Sequence, residues 1–500
     1  MQVSKIKDQK TDHMKTKIKI IGLIILMSSC NEDFLDLKPQ TFVSSTTFFI
    51  TEDDYRQAVS GAYSSLRELY SNAYVLGEMR SDNTHYYLKA SDRGTQNLEK
   101  EYVSAFIDDP NNRYSAGKYF ACYQGISRCN AILDRIDKAI IPDNVKGVLG
   151  GETKFLRAFY YFELVQYFGG VPLYLKEITD QAETALPRAS KEEVYAQIIK
   201  DATEAAAQLP VTQSEKGRAT LGSAKTLLGY VYCTLNQYAE AEQALKDVTT
   251  LGYILLPNYG DNFKTANKNS NESIFEVQYK EGTQQLQSSW TYQFIPSLLD
   301  TKIITGVSGN NQAIGGWNIP SDDLLAAYEP NDVRKAASIA DGYTTDGVFV
   351  PMPYTIKYLN PHAVFNNTDD NWIVYRYADV LLLLAEVLNE QSKSSEALPF
   401  LNQVRTRAGL DPVTETDQSA LRDIILKERR VELAFENHRW LDLVRTGKAI
   451  EVMTAYGNEM KQKFSYLLPR TYNVTEDKLL FPIPQSEIVL NPDLTQNSGY

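Results

Sequence analysis

The sequence predicts a mainly α-helical protein, built on paired antiparallel helices, with an irregular and partly β insert lobe. Helical periodicity dominates from residue 58 to about residue 250 and again toward the C-terminus. The stretch between is rich in Gly, Asn, Ser and Thr and carries short alternating runs. We therefore expect one domain over residues 30–500, divided into a helical part (30–254), an insert (255–370) and a second helical part (371–500).

The N-terminal segment resembles the export signal of a bacterial lipoprotein. A cationic stretch, Lys15–Lys19, precedes an apolar run, Ile20–Leu26, and small residues then lead into Cys30. The apolar run is about half of the roughly 20 residues that a membrane-spanning helix needs. We predict that residues 1–29 are a signal peptide and that Cys30 is lipidated. An ordinary cleaved signal peptide with an incidental cysteine is the alternative, and a start at Met14 would shorten the segment.

The charge balance argues against a nucleic-acid ligand. The chain has 51 Lys and Arg against 63 Asp and Glu, a net charge of −12. Residues 1–29 contribute six Lys and two Asp, so the chain from Cys30 onward carries −16. A surface this acidic repels phosphate backbones and anionic lipid. Neutral and cationic ligands remain open.

The cysteines and histidines predict neither a disulfide nor a metal site. Cys122 and Cys129 are expected on one helix, where seven residues separate their Cα atoms by about 10 Å, too far for a disulfide. Buried free thiols, together with Cys233, are the expected state. The four histidines have no metal-ligand spacing, so we expect no metal and no other cofactor.

Residues 152–168 predict an amphipathic helix. Phe155, Phe159 and Phe162 recur at positions i, i+4 and i+7, which places them on one apolar face. Gly169 follows this face and Pro172 lies just beyond, a pattern that ends a helix.

Two segments, one on each side of the insert, have the residue spacing of tetratricopeptide units. In such units small residues let two antiparallel helices approach closely. The step from Gly229 to Ala241 recurs from Ala385 to Ala397. Tandem units follow one another at about 34 residues, whereas these lie 156 residues apart, so other structure is inserted between them. Two ordinary helical hairpins that match by chance are the alternative.

The insert predicts loops with short strands. Ile274–Tyr279 alternates apolar and polar residues, as a half-buried strand does. Gly306–Gly316 is a loop by composition. Loops on a rigid scaffold are a common place for binding surfaces, so this lobe is a candidate site.

Lys427–Arg445 combines carboxylates and arginines on a helical pattern. Glu428, Glu432 and Glu436 lie four residues apart on one face. Paired carboxylates are the groups that general acid/base or glycosidase chemistry uses. Carboxylates interleaved with arginines also form salt-bridged helices. We adopt this structural interpretation and therefore predict no catalytic residues.

Several strings identify the family that this chain resembles. They are Leu35–Pro39, Phe155–Phe162, Arg376–Asn389, Leu401–Gly409, Ile425–Gly447, Leu480–Glu487 and Asn491–Tyr500. Together they strongly resemble the SusD/RagB family of nutrient-binding outer-membrane lipoproteins, over the whole mature chain.

The resemblance implies a SusD-like fold with tetratricopeptide-like hairpins, anchored to the outer membrane through the lipid on Cys30. Asn31–Asp33 resembles the export tag of surface-displayed lipoproteins in Gram-negative bacteria. The implied function is not enzymatic: the protein would bind oligosaccharide outside the cell and deliver it to a SusC-like TonB-dependent transporter. Some relatives bind peptides, so a peptide-capturing lipoprotein of the same architecture is the alternative. A surface glycoside hydrolase is a third hypothesis.

Sugar recognition needs flat aromatic faces and planar polar groups that bond neighbouring hydroxyls. Two regions offer that mixture: the insert and the segment Arg80–Tyr87, where the family resemblance implies ligand contacts. The candidate ligand-binding residues are Asn83, Tyr86, Tyr87, Trp290, Tyr292 and Trp317. Gly315 and Gly316 predict that Trp317 sits on an exposed turn. For each ring, plain core packing is the alternative.

Overall fold

The computed structural model describes residues 48–88, 94–309 and 314–500. The backbone divides into two compact units, Met1–Ile50 and Thr51–Tyr500. Of the first unit, residues 48–50 are described, and there the rings of Phe48 and Phe49 meet edge to face at 5.2 Å. The predicted signal peptide and Cys30 lie outside the described residues. In the part of the chain that is described, no helix is both long and apolar enough to cross a membrane.

The second unit begins with the predicted helical part. Its elements are α1 (Glu52–Ser71), α2 (Ala73–Gly77), β1 (Thr84–His85), α3 (Thr95–Ser104), α4 (Arg113–Ile136), α5 (Asp143–Phe168), α6 (Lys191–Gln208), α7 (Leu221–Thr234) and α8 (Tyr238–Thr249). From α4 to α8, helices that follow one another in sequence pack against one another, and α1 packs on α4. Side chains at the helix ends explain several boundaries. Thr51 forms a capping box with Asp54 at the start of α1.

The helix predicted at 152–168 is the C-terminal half of α5. This helix begins at Asp143, earlier than predicted. It ends before Gly169, whose φ of +73° belongs to the left-handed region that glycine adopts without steric cost. The predicted stop is confirmed.

The insert contains short elements joined by loops. They are β2 (Ser273–Val277), α9 (Thr291–Phe294), α10 (Lys302–Thr305), β3 (Ile319–Pro320), α11 (Asp322–Ala327), α12 (Val333–Ser338), β4 (Ile339–Ala340), β5 (Tyr343–Thr345), β6 (Val348–Val350) and β7 (Tyr354–Thr355).

After the insert the chain is again mainly helical. This last part contains β8 (Trp372–Arg376), α13 (Tyr377–Glu390), α14 (Ser394–Arg407), α15 (Gln418–Glu432), α16 (Arg439–Arg445), α17 (Ala449–Lys463) and α18 (Gln485–Leu490).

Two antiparallel strand pairs, β1–β3 and β2–β8, connect the insert to the scaffold, and two others lie within the insert. In the described part of the chain the pairs are β1–β3, β2–β8, β4–β7 and β5–β6. The strand predicted at Ile274 is β2, which pairs with β8 at the start of the second helical part. Its Phe275 ring packs against Phe155 at 5.0 Å and Phe159 at 6.0 Å. Residues 155–165 of α5 are buried on every side, so the prediction of a single apolar face on this helix is wrong. The insert is therefore anchored on the core of the first helical part.

The two predicted helical hairpins are α7–α8 and α13–α14, and they adjoin in space. A Cβ atom on Gly229 would lie 2.5 Å from the Leu245 side chain, so the absence of a side chain lets α7 approach α8. Helix α8 packs on α13. Glu242 on α8 also pairs with Lys393 at 2.7 Å, just before α14. Hairpins separated by the whole insert thus form one continuous helical layer.

A buried ion network surrounds Arg376 at the end of β8. Its guanidinium donates to Glu432 at 2.5 Å, to Glu436 at 2.8 Å and to Glu272 at 3.2 Å. Arg334 in the insert continues the network, with bonds to Glu432 at 3.0 Å, Glu428 at 2.6 Å and Asp332 at 2.7 Å. Glu428, Glu432 and Glu436 are all ion-paired, as predicted. Their expected place on one helical face is wrong for Glu436, because α15 ends at Glu432 and Glu436 lies in the turn that follows.

The network holds its carboxylates ionised. Burial alone would raise the pKa of Glu432, but the guanidinium groups of Arg407, Arg376 and Arg334 outweigh burial and hold that pKa far below its usual range. Burial is likewise outweighed at Glu436, where Arg376 and Lys357 lower the pKa to about 2. These are properties of structural ion pairs rather than of a proton-exchanging pair.

Removing one partner from this network should destabilise the protein strongly. In Glu432→Gln, three guanidinium groups lose a buried counter-charge, so we expect a loss of about 3–5 kcal/mol in the free energy of unfolding. Urea unfolding followed by circular dichroism measures this change. The matched control is Glu204→Gln, which breaks a more exposed pair with Lys154 at 2.8 Å and should cost at most about 1 kcal/mol. Equal losses of unfolding free energy in Glu432→Gln and Glu204→Gln would contradict the conclusion that the buried network stabilises the fold.

Acid should act through the same groups. The folded pKa of Glu436, about 2, lies below its ordinary value of 4.5. Its contribution to stability is therefore complete above about pH 4.5 and disappears as the pH falls toward 2. We expect the melting temperature of Glu436→Gln to depend less on pH than that of the wild type between about pH 5 and pH 2. Thermal unfolding across this range gives both profiles, and parallel profiles would contradict the prediction.

Candidate functional site

The two regions that carry the candidate residues meet in the structure. Strand β1 pairs with β3, with Thr84 opposite Pro320 and His85 opposite Ile319. Beyond the strand, the backbone N–H of Tyr87 donates to the carbonyl of Gly316 at 2.8 Å. The segment after α2 and the end of the insert loop therefore form one local structure.

Asn83 is part of the buried support of this structure. Its side-chain amide donates to Glu78 at 2.8 Å, and its oxygen accepts from Arg430 Nε at 2.8 Å. The residue is fully buried. Both of its polar groups thus hold protein partners, and a ligand does not reach them in this arrangement.

Tyr86 and Trp317 are brought together, but beneath the surface. Their rings lie 5.9 Å apart, and the Lys100 ammonium lies 4.7 Å from the centre of the Trp317 ring. Trp317 is only 2% exposed, so its predicted position on an exposed turn is wrong. A Cβ atom on Gly315 would lie 2.3 Å from the carbonyl oxygen of Ile295. The glycines therefore serve close packing of this turn against the neighbouring backbone.

Trp290 and Tyr292 are also core residues. The Trp290 ring meets Trp372 at 5.3 Å and Tyr279 at 4.7 Å, both edge to face. Tyr292 is fully buried in the insert, where its hydroxyl bonds His362 at 2.6 Å. Core packing, the alternative stated for each ring, describes both residues in this structure.

Tyr87 differs from the other five candidates because it is partly exposed, whereas they are buried. One side of Tyr87 packs on the small core that Tyr292, Ile319 and Tyr354 form in the insert. Its hydroxyl donates to the carbonyl of Pro353 at 3.3 Å. The ring is therefore held in one orientation while part of it faces solvent, as a stacking platform requires.

Two neighbours of Tyr87 were not among the predicted residues. The pKa of Tyr87 is raised to about 12, chiefly by partial burial and further by the neighbouring Tyr343 and Asp322. Tyr343 and Asp322 therefore both act on the Tyr87 hydroxyl. Tyr343 is half-exposed and packs against the same small core. Asp322 begins α11 and is largely exposed. We call Tyr87, Tyr343 and Asp322 the Tyr87 surface.

The Asp346–Gly347 pair is a sequence signal for the hairpin that carries Tyr343. It joins β5 to β6, with φ values of +51° and +75°, as a two-residue hairpin requires. That signal predicts a hairpin but not which residue the hairpin packs against. Phe349 on β6 is 55% exposed and stands opposite Thr344 in the register. Successive strand residues face opposite sides, so Phe349 is not part of the Tyr87 surface.

A separate groove lies on the helical layer. It has a volume of about 750 Å³ and runs between residues 253–257 and α14. Tyr253, Tyr377 and Arg407 line it, with none of the six candidates. Its place on the hairpins, away from β1 and β3, separates it from the Tyr87 surface.

The described cysteines are buried, and no metal-binding cluster is found among the described residues. Cys122, Cys129 and Cys233 are buried free thiols, as predicted. Burial raises the pKa of Cys129 to about 12, which disfavours the reactive thiolate. Across residues 48–88, 94–309 and 314–500, no group of His, Cys, Asp or Glu side chains is arranged to hold a metal ion.

Two family models match this chain. Residues 33–233 match the family described as "Starch-binding associating with outer membrane", and residues 352–500 match the one described as "SusD family". The two matches lie on either side of most of the insert. They include nearly all of α7 but not α8, and from the buried network they include Arg376 and Glu432 but not Arg334.

Known proteins resemble the chain over nearly its whole length. It is 29% identical to SusD-like protein P38 of Formosa agariphila, over 97% of this chain and 99% of that protein. It is 22% identical to starch-binding protein SusD of Bacteroides thetaiotaomicron, over 81% and 82% of the two chains. A solved structure named as a laminarin-binding SusD-like protein superposes with a TM-score of 0.76 at 26% identity, covering 90% of this chain and 100% of the other.

Proposed function

Because this chain belongs to the SusD/RagB family, we propose that it binds oligosaccharide outside the cell and delivers it to a SusC-like TonB-dependent transporter of the outer membrane. The names of similar proteins support the ligand class, since one binds laminarin and another starch. The observation that carries the proposal is the Tyr87 surface, which lies where the two predicted segments meet.

Tyr87 would supply the aromatic face of the site. A half-exposed ring that is fixed on its other side can stack on the apolar face of a sugar without losing much conformational freedom. Tyr343 adds a second ring, and the Asp322 carboxylate can accept hydrogen bonds from two neighbouring hydroxyls. Aromatic rings and a planar polar group are the combination that sugar recognition needs.

The other candidate residues would act by holding Tyr87 in place. Tyr292 belongs to the core under the Tyr87 ring. Tyr86 and Trp317 pack on each other beside it, and Asn83 bonds the segment to Arg430. Trp290 packs farther into the core, against Trp372. We propose contact with the ligand for Tyr87 and support for the rest.

Binding without turnover is the form of the function that we propose. Glu428 and Glu432 on α15, and Glu436 in the turn after it, are buried and paired with arginines. A retaining or inverting glycosidase needs two accessible carboxyl groups on either side of a glycosidic bond. We also propose that residues 30–500 act as one domain, anchored by a lipid on Cys30 and displayed at the surface of a Gram-negative bacterium.

Removing the Tyr87 ring should weaken glycan binding. In Tyr87→Ala the stacking face is lost, and we expect affinity to fall more than about tenfold, or about 1.4 kcal/mol. Isothermal titration against laminarin, amylopectin and a panel of plant, host and microbial oligosaccharides measures the change, with a casein digest as the peptide arm.

The matched control for Tyr87→Ala is Tyr232→Ala, a half-exposed tyrosine on α7. It should leave affinity unchanged, and the melting temperature of both variants shows whether each one folds. Wild-type binding that survives Tyr87→Ala would refute the site. Retention of peptides and of no glycan would refute the ligand class, and release of shortened glycan would refute binding without turnover.

Lipidation at Cys30 is tested separately. In Cys30→Ala the acceptor thiol is absent, so we expect the protein to leave the membrane fraction and to take up no labelled palmitate in cells. Cys233→Ala serves as the control, because its thiol is buried in the folded domain and should not affect labelling. Equal labelling of Cys30→Ala and the wild type would contradict the prediction.

A further inference from the structure

A second pair of half-exposed rings lies beside the Tyr87 surface. Phe464 and Tyr466 follow α17, and their rings are 5.3 Å apart. We propose that these two rings form a second sugar-binding platform, so that the protein selects oligosaccharide chains long enough to reach both. This inference rests on the proposed glycan-binding function and extends it to ligand length.

The second platform is built on a buried histidine. Phe464 stacks on the His85 ring at 4.7 Å with an angle of 13° between the planes. The Tyr466 hydroxyl bonds His85 Nε2 at 2.9 Å. Burial, together with the nearby Lys463, lowers the pKa of His85 to about 3, so the imidazole is neutral above that pH. The two rings therefore rest on a flat, uncharged support that fixes their orientation.

His85 also sets the spacing between the two platforms. It precedes Tyr87 by two residues, so their Cα atoms are at most about 7 Å apart. Between them, Tyr86 packs 4.4 Å from His85 and 6.1 Å from Tyr466. The segment His85–Tyr87 thus carries the Tyr87 ring and also supports Phe464 and Tyr466 through the contacts of His85 and Tyr86.

An exposed ion pair lies between the platforms. Lys463 ends α17, bonds Asp322 on α11, and has its ammonium 5.4 Å from the centre of the Phe464 ring. Asp322 is also one of the charges that raise the pKa of Tyr87. Its side chain is 63% exposed and that of Lys463 is 40% exposed. One group accepts and the other donates hydrogen bonds, and the pair has no net charge, which suits hydroxyl groups of a neutral sugar.

The competing explanation is that Phe464 and Tyr466 only cover His85. Covering alone would need one buried ring, whereas both residues keep part of their surface exposed. Covering also predicts no effect of these rings on any glycan. The two explanations therefore differ in how affinity depends on the length of the ligand.

The test is titration of a length ladder with three proteins. The probes are laminari-oligosaccharides from the disaccharide to the heptasaccharide, or the equivalent ladder of the polysaccharide that the wild type retains. For the wild type we expect affinity to rise with length and then level off. For Phe464→Leu, which keeps apolar cover over His85 but removes the flat ring, we expect long chains to lose more than about tenfold in affinity. The shortest chain that binds should change less than about twofold.

The third protein, Tyr87→Ala, distinguishes the second platform from the proposed binding site itself, because it should lower the affinity for chains of every length. The control is Leu468→Ala, at a 48% exposed residue of the loop that carries Phe464, and it should lower the affinity for none. Wild-type binding with no length dependence, or an unchanged ladder in Phe464→Leu at normal melting temperature, would overturn the second platform and leave the proposed function intact. Failure of the wild type to bind any glycan would overturn both.

Discussion

A buried network of guanidinium and carboxylate groups joins the insert to the helical scaffold. Arg376 at the end of β8 and Arg334 on α12 both bond Glu432 on α15. Charges buried this deeply are tolerated only when each has a partner and the remaining donors are satisfied. The network therefore holds three segments that are distant in sequence in one arrangement. The part of the insert that carries Arg334 is thereby fixed on α15.

A second buried group connects this scaffold to the candidate site. Glu78 accepts hydrogen bonds from the side chain of Asn83 at 2.8 Å and from the backbone N–H groups of Phe435 at 2.9 Å and Asn437 at 3.0 Å. Phe435 and Asn437 both have a φ of +69°, which is costly for residues other than glycine. The bonds to Glu78 offset that cost. They also fix the turn before α16 against the segment that leads to Tyr87. The candidate site is therefore supported by residues from the first and the last helical parts.

Local patterns predicted the scaffold well. The end of α5 at Gly169 follows from the conformational freedom of glycine, and the contact of Gly229 with Leu245 follows from the spacing of a hairpin. The candidate site was less predictable. Composition marks a segment as aromatic and polar, but it does not show that the Trp317 ring packs against Tyr86, which is far away in sequence. A sequence pattern does not contain that contact.

The sequence alone determined the helical class, the two hairpins and the family, because each of these depends on residues near one another in the chain or on recognisable strings. Only the tertiary structure decided which aromatic rings reach the surface. Burial is set by partners that are far away in sequence, such as Trp372 for Trp290 and Pro353 for Tyr87. The same long-range packing brought Phe464 onto His85, since stacking energy depends on distance in space and not along the chain.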